Sequence, residues 1–193
     1  NFDIAVELFE KCLSINQESD AAHYALSDLY QALGKTESSI SHAETAYKLD
    51  ESNRWYILRL ADLYYSTGNY HKSAEFFEMA IEEEKNIDIK FQYAESLIHS
   101  NNYKRAIEML DEIEVEMGKS PNLSLTKHDL YKELGDDEAA QKELQSLIDD
   151  NPSNVENKLV IADYFLRTNQ DAAAEKILIE TLEQNPNTGE AYI

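Results

Sequence analysis

The chain has 193 residues, enough to bury a sizeable core, and its 42% hydrophobic and 28% charged content is that of an ordinary globular protein rather than a disordered one. With 17 Lys and Arg against 38 Asp and Glu, the net charge of −21 argues against nucleic acid and anionic membranes, whose binding draws on clustered basic side chains, and biases any electrostatic partner toward being basic. A single cysteine excludes an internal disulfide framework, and no run approaches the ~20 apolar residues of a membrane span.

Taken in order, the chain reads as a series of amphipathic helices punctuated by its five Gly and three Pro. Residues 1–16 form one helix with Phe2, Ala5, Val6, Phe9, Cys12 and Leu13 on its apolar face, so Cys12 is expected to be a small core residue rather than a nucleophile. Residues 20–33 form the next and stop at Gly34, after which Ser39, Ile40, Ala43, Ala46, Tyr47 and Leu49 line its partner. From Arg54 the same plan is clearest. Ile57, Leu60, Ala61 and Tyr64 share one helical face, Gly68 and Asn69 end that helix, and Tyr70, Ala74, Phe77, Ala80 and Ile81 restart the period up to Lys85. A turn this short permits only an antiparallel hairpin. Further hairpins pair residues 87–100 with 103–117, 121–134 with 137–150, and 155–168 with 171–184.

Equivalent small residues of the second helices are Ala5, Ser39, Ser73, Ala106, Ala140 and Ala174, spaced by 34, 34, 33, 34 and 34 residues. A two-helix unit of this period, with Leu60, Ala61, Tyr64, Phe77 and Ala80 in one copy and Ile161, Ala162, Phe165, Ala174, Leu178 and Pro186 in the last, resembles the tetratricopeptide repeat family over essentially its whole length. The resemblance implies an all-α fold, an α-α superhelix: a solenoid of antiparallel helix hairpins forming one domain over residues 1–193. Its repeats lie near 20–53, 54–86, 87–120, 121–154 and 155–188, with a lone second helix at 1–16 and the start of a further repeat at 189–193. Both ends fall inside a repeat, so the natural protein is expected to continue in both directions or to cover these surfaces with another chain. Compartment stays open between cytoplasm and periplasm.

One repeat departs from the pattern. Ser124, Lys127 and His128 stand where the other copies place large, large and small packing residues, which predicts either a shifted or shortened helix carried by Leu123, Leu125, Leu130, Tyr131 and Leu134, or a local hinge of low stability. Signals for chemistry are weak. No Gly-rich phosphate loop, nucleophile elbow or metalloprotease motif occurs. His71 and Glu75, one helical turn apart, read as a solvated pair; His23, His42 and His99 are isolated in sequence. The acidic runs at Glu82–Glu84 and at Asp111, Glu112, Glu114 and Glu116 lack the calcium-loop glycine. No catalytic residue, metal site or cofactor is predicted.

The expected function is therefore a non-catalytic scaffold that binds a peptide or partner protein. The alternatives are a structural or self-associating element, through the cut repeat ends, and a regulatory segment of a larger enzyme. In each first helix, positions two, five, nine and twelve point away from the packing face and form the expected concave wall. At its centre lie Asp28, Asp62, Glu95, Asp129 and Asp163, flanked by Tyr24, Trp55, Leu58, Tyr65, Phe91, Ile98, Leu125, Leu159 and Leu166. The family's clamp for chaperone carboxylate tails has Lys and Asn at positions five and nine. Tyr24 with Asp28 and Leu58 with Asp62 stand there instead, and a row of acids cannot hold a carboxylate. The wall suits a basic segment with apolar anchors, unless Arg59 with Asp62, Lys132 with Asp129, and Arg167 with Asp163 pair within their own helices.

Overall fold

The structure, a computed structural model, describes residues 2–83 and 86–184, the side chains at 82 and 83 excepted. Lys85, Pro186, the expected repeat start at 189–193, and the acidic run at 82–84 as a cluster of side chains lie outside the described residues.

Among the described residues the elements are all helices: α1 Phe2–Ile15, α2 Asp20–Ala32, α3 Thr36–Leu49, α4 Arg54–Ser66, α5 Tyr70–Glu83, α6 Ile87–His99, α7 Tyr103–Met117, α8 Pro121–Glu133, α9 Asp137–Asp150, α10 Val155–Arg167 and α11 Asp171–Gln184. They divide between two compact units, Asn1–Met109 and Leu110–Ile193. In the first, α2 packs with α3, α4 with α5, and α1 against α2; in the second, α8 packs with α9 and α10 with α11.

Each first helix begins and ends by the same local chemistry. Side-chain oxygens of Ser19, Asn53, Asn86, Ser120 and Asn154 accept from backbone N–H groups at the helix start, at 2.9–3.4 Å, satisfying donors that the helix leaves orphaned. At the other end the chain turns through positive φ at Gly34, Gly68 and Gly135, and at Asn101 (60°) and Asn169 (58°). The next residue then donates back across the turn, as Asn69 N–H does to the Tyr64 carbonyl at 2.9 Å and Asn102 N–H to the Leu97 carbonyl at 2.8 Å.

Small residues set how closely the hairpin helices approach. Ser27, Ala61, Ser39, Ser73, Ala106, Ala140 and Ala174 are buried. Contact is close enough for the Ser39 hydroxyl to donate to the Ser27 carbonyl at 2.8 Å and for Ser73 to donate to the Ala61 carbonyl at 2.9 Å. Leu26, Leu60, Leu63 and Phe77 fill the space beside them in the first unit, and Leu147 and Ile161 in the second.

Two expectations about packing need correction, and one contact is added to them. Cys12 is exposed, and α1 has no buried residue; Phe2, Ile4, Leu8 and Ile15 are all exposed, so its apolar face covers α2 only in part. The helix over residues 121–133 is not shortened: α8 has the same 13 residues as α2, α4, α6 and α10. It buries Ser124, Lys127 and His128 in the slots the sequence assigned them, and Leu134 is exposed. His23 and His42, distant in sequence, are in contact, with Nδ1 atoms 2.9 Å apart.

Candidate functional site

In the first unit the expected wall comes from α2, α4 and α6. Asp28, Asp62 and Glu95 are exposed; Tyr24, Leu58, Tyr65 and Phe91 are half-buried; Trp55 leaves 65% of its surface in solvent. An indole this open is unusual for the largest apolar side chain of a chain, because such surface is normally withdrawn from water.

The charges on this face are arranged by Arg59. Sequence spacing offered Arg59 to Asp62 within one helix, but the guanidinium reaches across to α2. It pairs with Asp28 at 3.0 Å and donates to the Ser27 hydroxyl (3.1 Å), the Ser27 carbonyl (2.9 Å) and the Gln31 amide oxygen (2.6 Å). Asp62 stays in its field: packed surroundings raise the Asp62 carboxyl above its ordinary value and the nearby guanidinium offsets only part of that, although the side chain remains open to solvent. Tyr24 packs on Tyr56 with ring centroids 5.3 Å apart, and its phenol is raised by burial and then by Asp28, with Arg59 opposing. Next along, Tyr65 donates to Glu95 at 3.3 Å and makes edge contacts with Tyr70 and His99, which stack on each other at 4.6 Å. Burial and then Glu95 raise the Tyr65 phenol. Arg59, Tyr70 and His99 thus belong to this surface although side-chain periodicity alone does not place them there; in sequence only Arg59 and His99 stand beside a wall position, Leu58 and Ile98.

In the second unit α8 and α10 supply Leu125, Asp129, Leu159, Asp163 and Leu166, with both acids exposed. These acids are engaged locally. Tyr164 donates to Asp129, the His128 Nδ1 lies 3.1 Å from the same carboxylate, and burial followed by that hydrogen bond raises the Tyr164 phenol. Asp163 pairs with Arg167 at 2.8 Å, as the i,i+4 spacing predicts. Lys132 pairs instead with Asp137 at 2.5 Å, a correction to the expected pairing with Asp129.

His71 and Glu75 approach to 3.7 Å with both side chains largely in solvent. Among the described residues no group of three or more His, Cys, Asp or Glu side chains is placed to hold a metal ion, and no helix is long and apolar enough to cross a membrane.

Over residues 35–113 the chain matches the family model for anaphase-promoting complex, cyclosome, subunit 3, and over residues 129–154 that for the tetratricopeptide repeat. No curated protein matches it significantly. Among solved structures it is similar to YrrB, described as a TPR protein with an unusual peptide-binding site, at 15% identity and a TM-score of 0.58, with 97% of each chain covered. It is also similar to a chain in the structure of Naa15/Naa10 bound to HypK-THB, at 18% identity and a TM-score of 0.70. There it covers 99% of its own length but only 30% of that chain. MamA 41-end from Desulfovibrio magneticus RS-1 follows at 12% identity and a TM-score of 0.58, with 88% and 97% covered. At such identities the likeness is one of fold. Taken with the two family-model matches, with the 34-residue spacing of the small contact residues and with caps that recur once per hairpin, it supports a tetratricopeptide repeat family for the chain.

Proposed function

We propose that the exposed face of α2, α4 and α6 binds an extended basic segment of a partner protein, with an apolar side chain of that segment anchored on Trp55. The tetratricopeptide fold is in general a non-enzymatic protein-interaction scaffold, and the one feature that carries the finer reading is the open indole of Trp55 beside Asp28, Asp62 and Glu95. Large aromatics held rigidly at the surface dominate binding energies, and carboxylates around them select cationic side chains. Arg59 satisfies Asp28 and leaves Asp62 and Glu95 as the exposed acids to meet a Lys or Arg of the partner. YrrB, of the same fold, is described as having a peptide-binding site, which supports a peptide as the kind of ligand.

A peptide array followed by titration tests this. Affinity for the best basic peptide is expected to fall with added salt. Trp55→Ala should cost on the order of 2 kcal/mol, about thirtyfold in Kd, and the double variant Asp62→Asn, Glu95→Gln should weaken binding and flatten its salt dependence. Tight binding unchanged by salt and by these substitutions would place the partner elsewhere on the molecule.

A further inference from the structure

The contact between His23 of α2 and His42 of α3 lies apart from the wall discussed above, and the function proposed there makes no use of it. Both side chains are half-buried. Their Nδ1 atoms are 2.9 Å apart and their ring centroids 5.1 Å, the separation reached when two imidazoles face each other head-on through these nitrogens. Lone pairs aimed along one line share a proton; they do not converge on a metal ion, which needs its two nitrogens to point at a common apex. Tautomers are then assigned by the surroundings. His23 Nε2 lies 3.2 Å from the Gln17 carbonyl oxygen, which can only accept, so His23 carries its proton on Nε2 and offers Nδ1 as the acceptor. His42 must therefore donate from Nδ1.

We propose that this pair is a proton-limited latch: while α2 and α3 are packed it takes up one proton and excludes a second, so that further acidification parts the two helices. The first proton goes to the unbonded Nε2 of His42, which turns the Nδ1–H···Nδ1 contact into a charge-assisted hydrogen bond and breaks nothing. The surroundings accommodate one positive charge. Tyr30 of α2 stacks on His42 at 5.4 Å, and Glu10 of α1, which accepts from the Tyr30 hydroxyl at 2.8 Å, favours a charged His42. Burial and the neighbouring His23 act against it, and the net effect lowers His42 below its ordinary value. Lys35 lies over the Tyr30 ring at 5.5 Å and adds positive charge nearby; from α4, on the other side of α3, Tyr64 reaches Glu44 and not the histidines. A second proton has one place to go, His23 Nδ1, where it would set two N–H groups and two cations face to face. The hydrogen bond is then lost and the rings must separate. His42 is a base with a lowered value in the fold, so the stability it contributes is present above its unfolded value of about 6.5 and is lost as pH falls through the lower folded one.

The test is an imidazole NMR titration of the full chain with amide exchange across residues 20–49. At neutral pH His23 should appear as the Nε2–H tautomer and His42 as Nδ1–H. The two should then titrate in steps more than about one pH unit apart. Between the two steps, protection of α2 and α3, corrected for intrinsic exchange, should fall about tenfold for each pH unit lowered, the signature of opening linked to one proton, and it should level off below the second step. His42→Asn removes one basic site and puts there an amide that can turn its oxygen toward a protonated His23 Nδ1, so it should remove that slope. Two imidazoles titrating independently near about 6.5 would overturn the proposal, as would parallel exchange profiles for wild type and His42→Asn. Should the variant fail to fold, the wild-type titration decides alone.

Discussion

Lys127 stands in the slot that other hairpins fill with Leu26, Leu60, Tyr93 or Ile161, and its replacement is the sharpest test of how α8 is held. Its side chain is 3% exposed, and Nζ reaches Asp111 and Glu143 at 3.0 Å each and contacts Glu114. Burial alone would push the ammonium down, but the carboxylates of Glu114, Asp111 and Glu143 outweigh it, and the net shift is upward. The partners differ in how they would tolerate losing it. Asp111, 56% exposed, can return to water, whereas Glu114 and Glu143, at 14% and 12%, cannot without opening the structure. Lys119 lies 3.8 Å from Glu114 and offsets part of one charge. Lys127→Met, which keeps the volume, thus strands close to two buried carboxylates, and a loss of about 3–5 kcal/mol is expected, on the order of 6–20 °C in Tm for a chain of this size. The triple variant Lys127→Leu, Glu114→Gln, Glu143→Leu removes the charges together and should return to within about 1 kcal/mol of wild type or exceed it. Urea denaturation followed by circular dichroism measures both, and amide exchange over residues 111–150 locates the loss. A Lys127→Met cost below about 1 kcal/mol, or a triple variant no better than the single one, would refute the reasoning. The raised ammonium also fixes the alkaline limb: the stability it contributes is complete below about 10.4 and is lost only as pH rises through the higher folded value.

Gly68 sits at φ +77° with nothing within 4 Å of the position a Cβ would take, so Gly68→Ala should cost about 1–2 kcal/mol from backbone conformation alone. Asn101→Gly at the equivalent turn should be neutral or slightly stabilising, and thermal melting of the two variants checks the contrast. Burial and a 2.9 Å hydrogen bond to Asp20 push the Tyr56 phenol up to about 12. An ultraviolet difference titration should show a late-ionising tyrosine in the wild type that is missing from Tyr56→Phe. The unfolded phenol ionises near about 10, so this contribution is lost as pH rises above that value, and Tyr56→Phe should abolish it at a cost of about 1.5–3 kcal/mol near neutrality.

The helices were legible because their signals are local. Ser19, Asn53, Asn86, Ser120 and Asn154 cap, Gly34, Gly68 and Gly135 turn, and each acts on backbone groups within three residues of itself. Asn101 and Asn169 adopt the positive φ that glycine holds elsewhere, so those two turns keep their geometry without one. Wall positions followed from 100° per residue, which fixes direction but says nothing of pairing. Arg59 could be assigned only to its own helix by spacing, whereas the structure gives it Asp28 and Ser27, residues a full repeat earlier. His23 and His42 likewise are 19 residues apart and meet because the hairpin folds back on itself.

The same distinction explains α8. A polar residue in a packing slot reads as a defect when only the slot is visible, and Lys127 and His128 each looked like a reason for the helix to shift. Each is instead answered by side chains from another helix: Lys127 by Asp111 and Glu114 before it and Glu143 after it, and His128 by Tyr164 and Phe165 of α10, whose rings meet it edge-on at 5.5 and 6.1 Å. Those partners lie on other helices, where spacing within one helix does not connect them to α8. Burial of an ion is tolerable only when its partners are buried with it, so neither half of such an arrangement carries a signal alone. In a fold whose units contact chiefly their neighbours, a paired exchange of this kind can be accommodated within one repeat and its flanks while the spacing of the others stays unchanged.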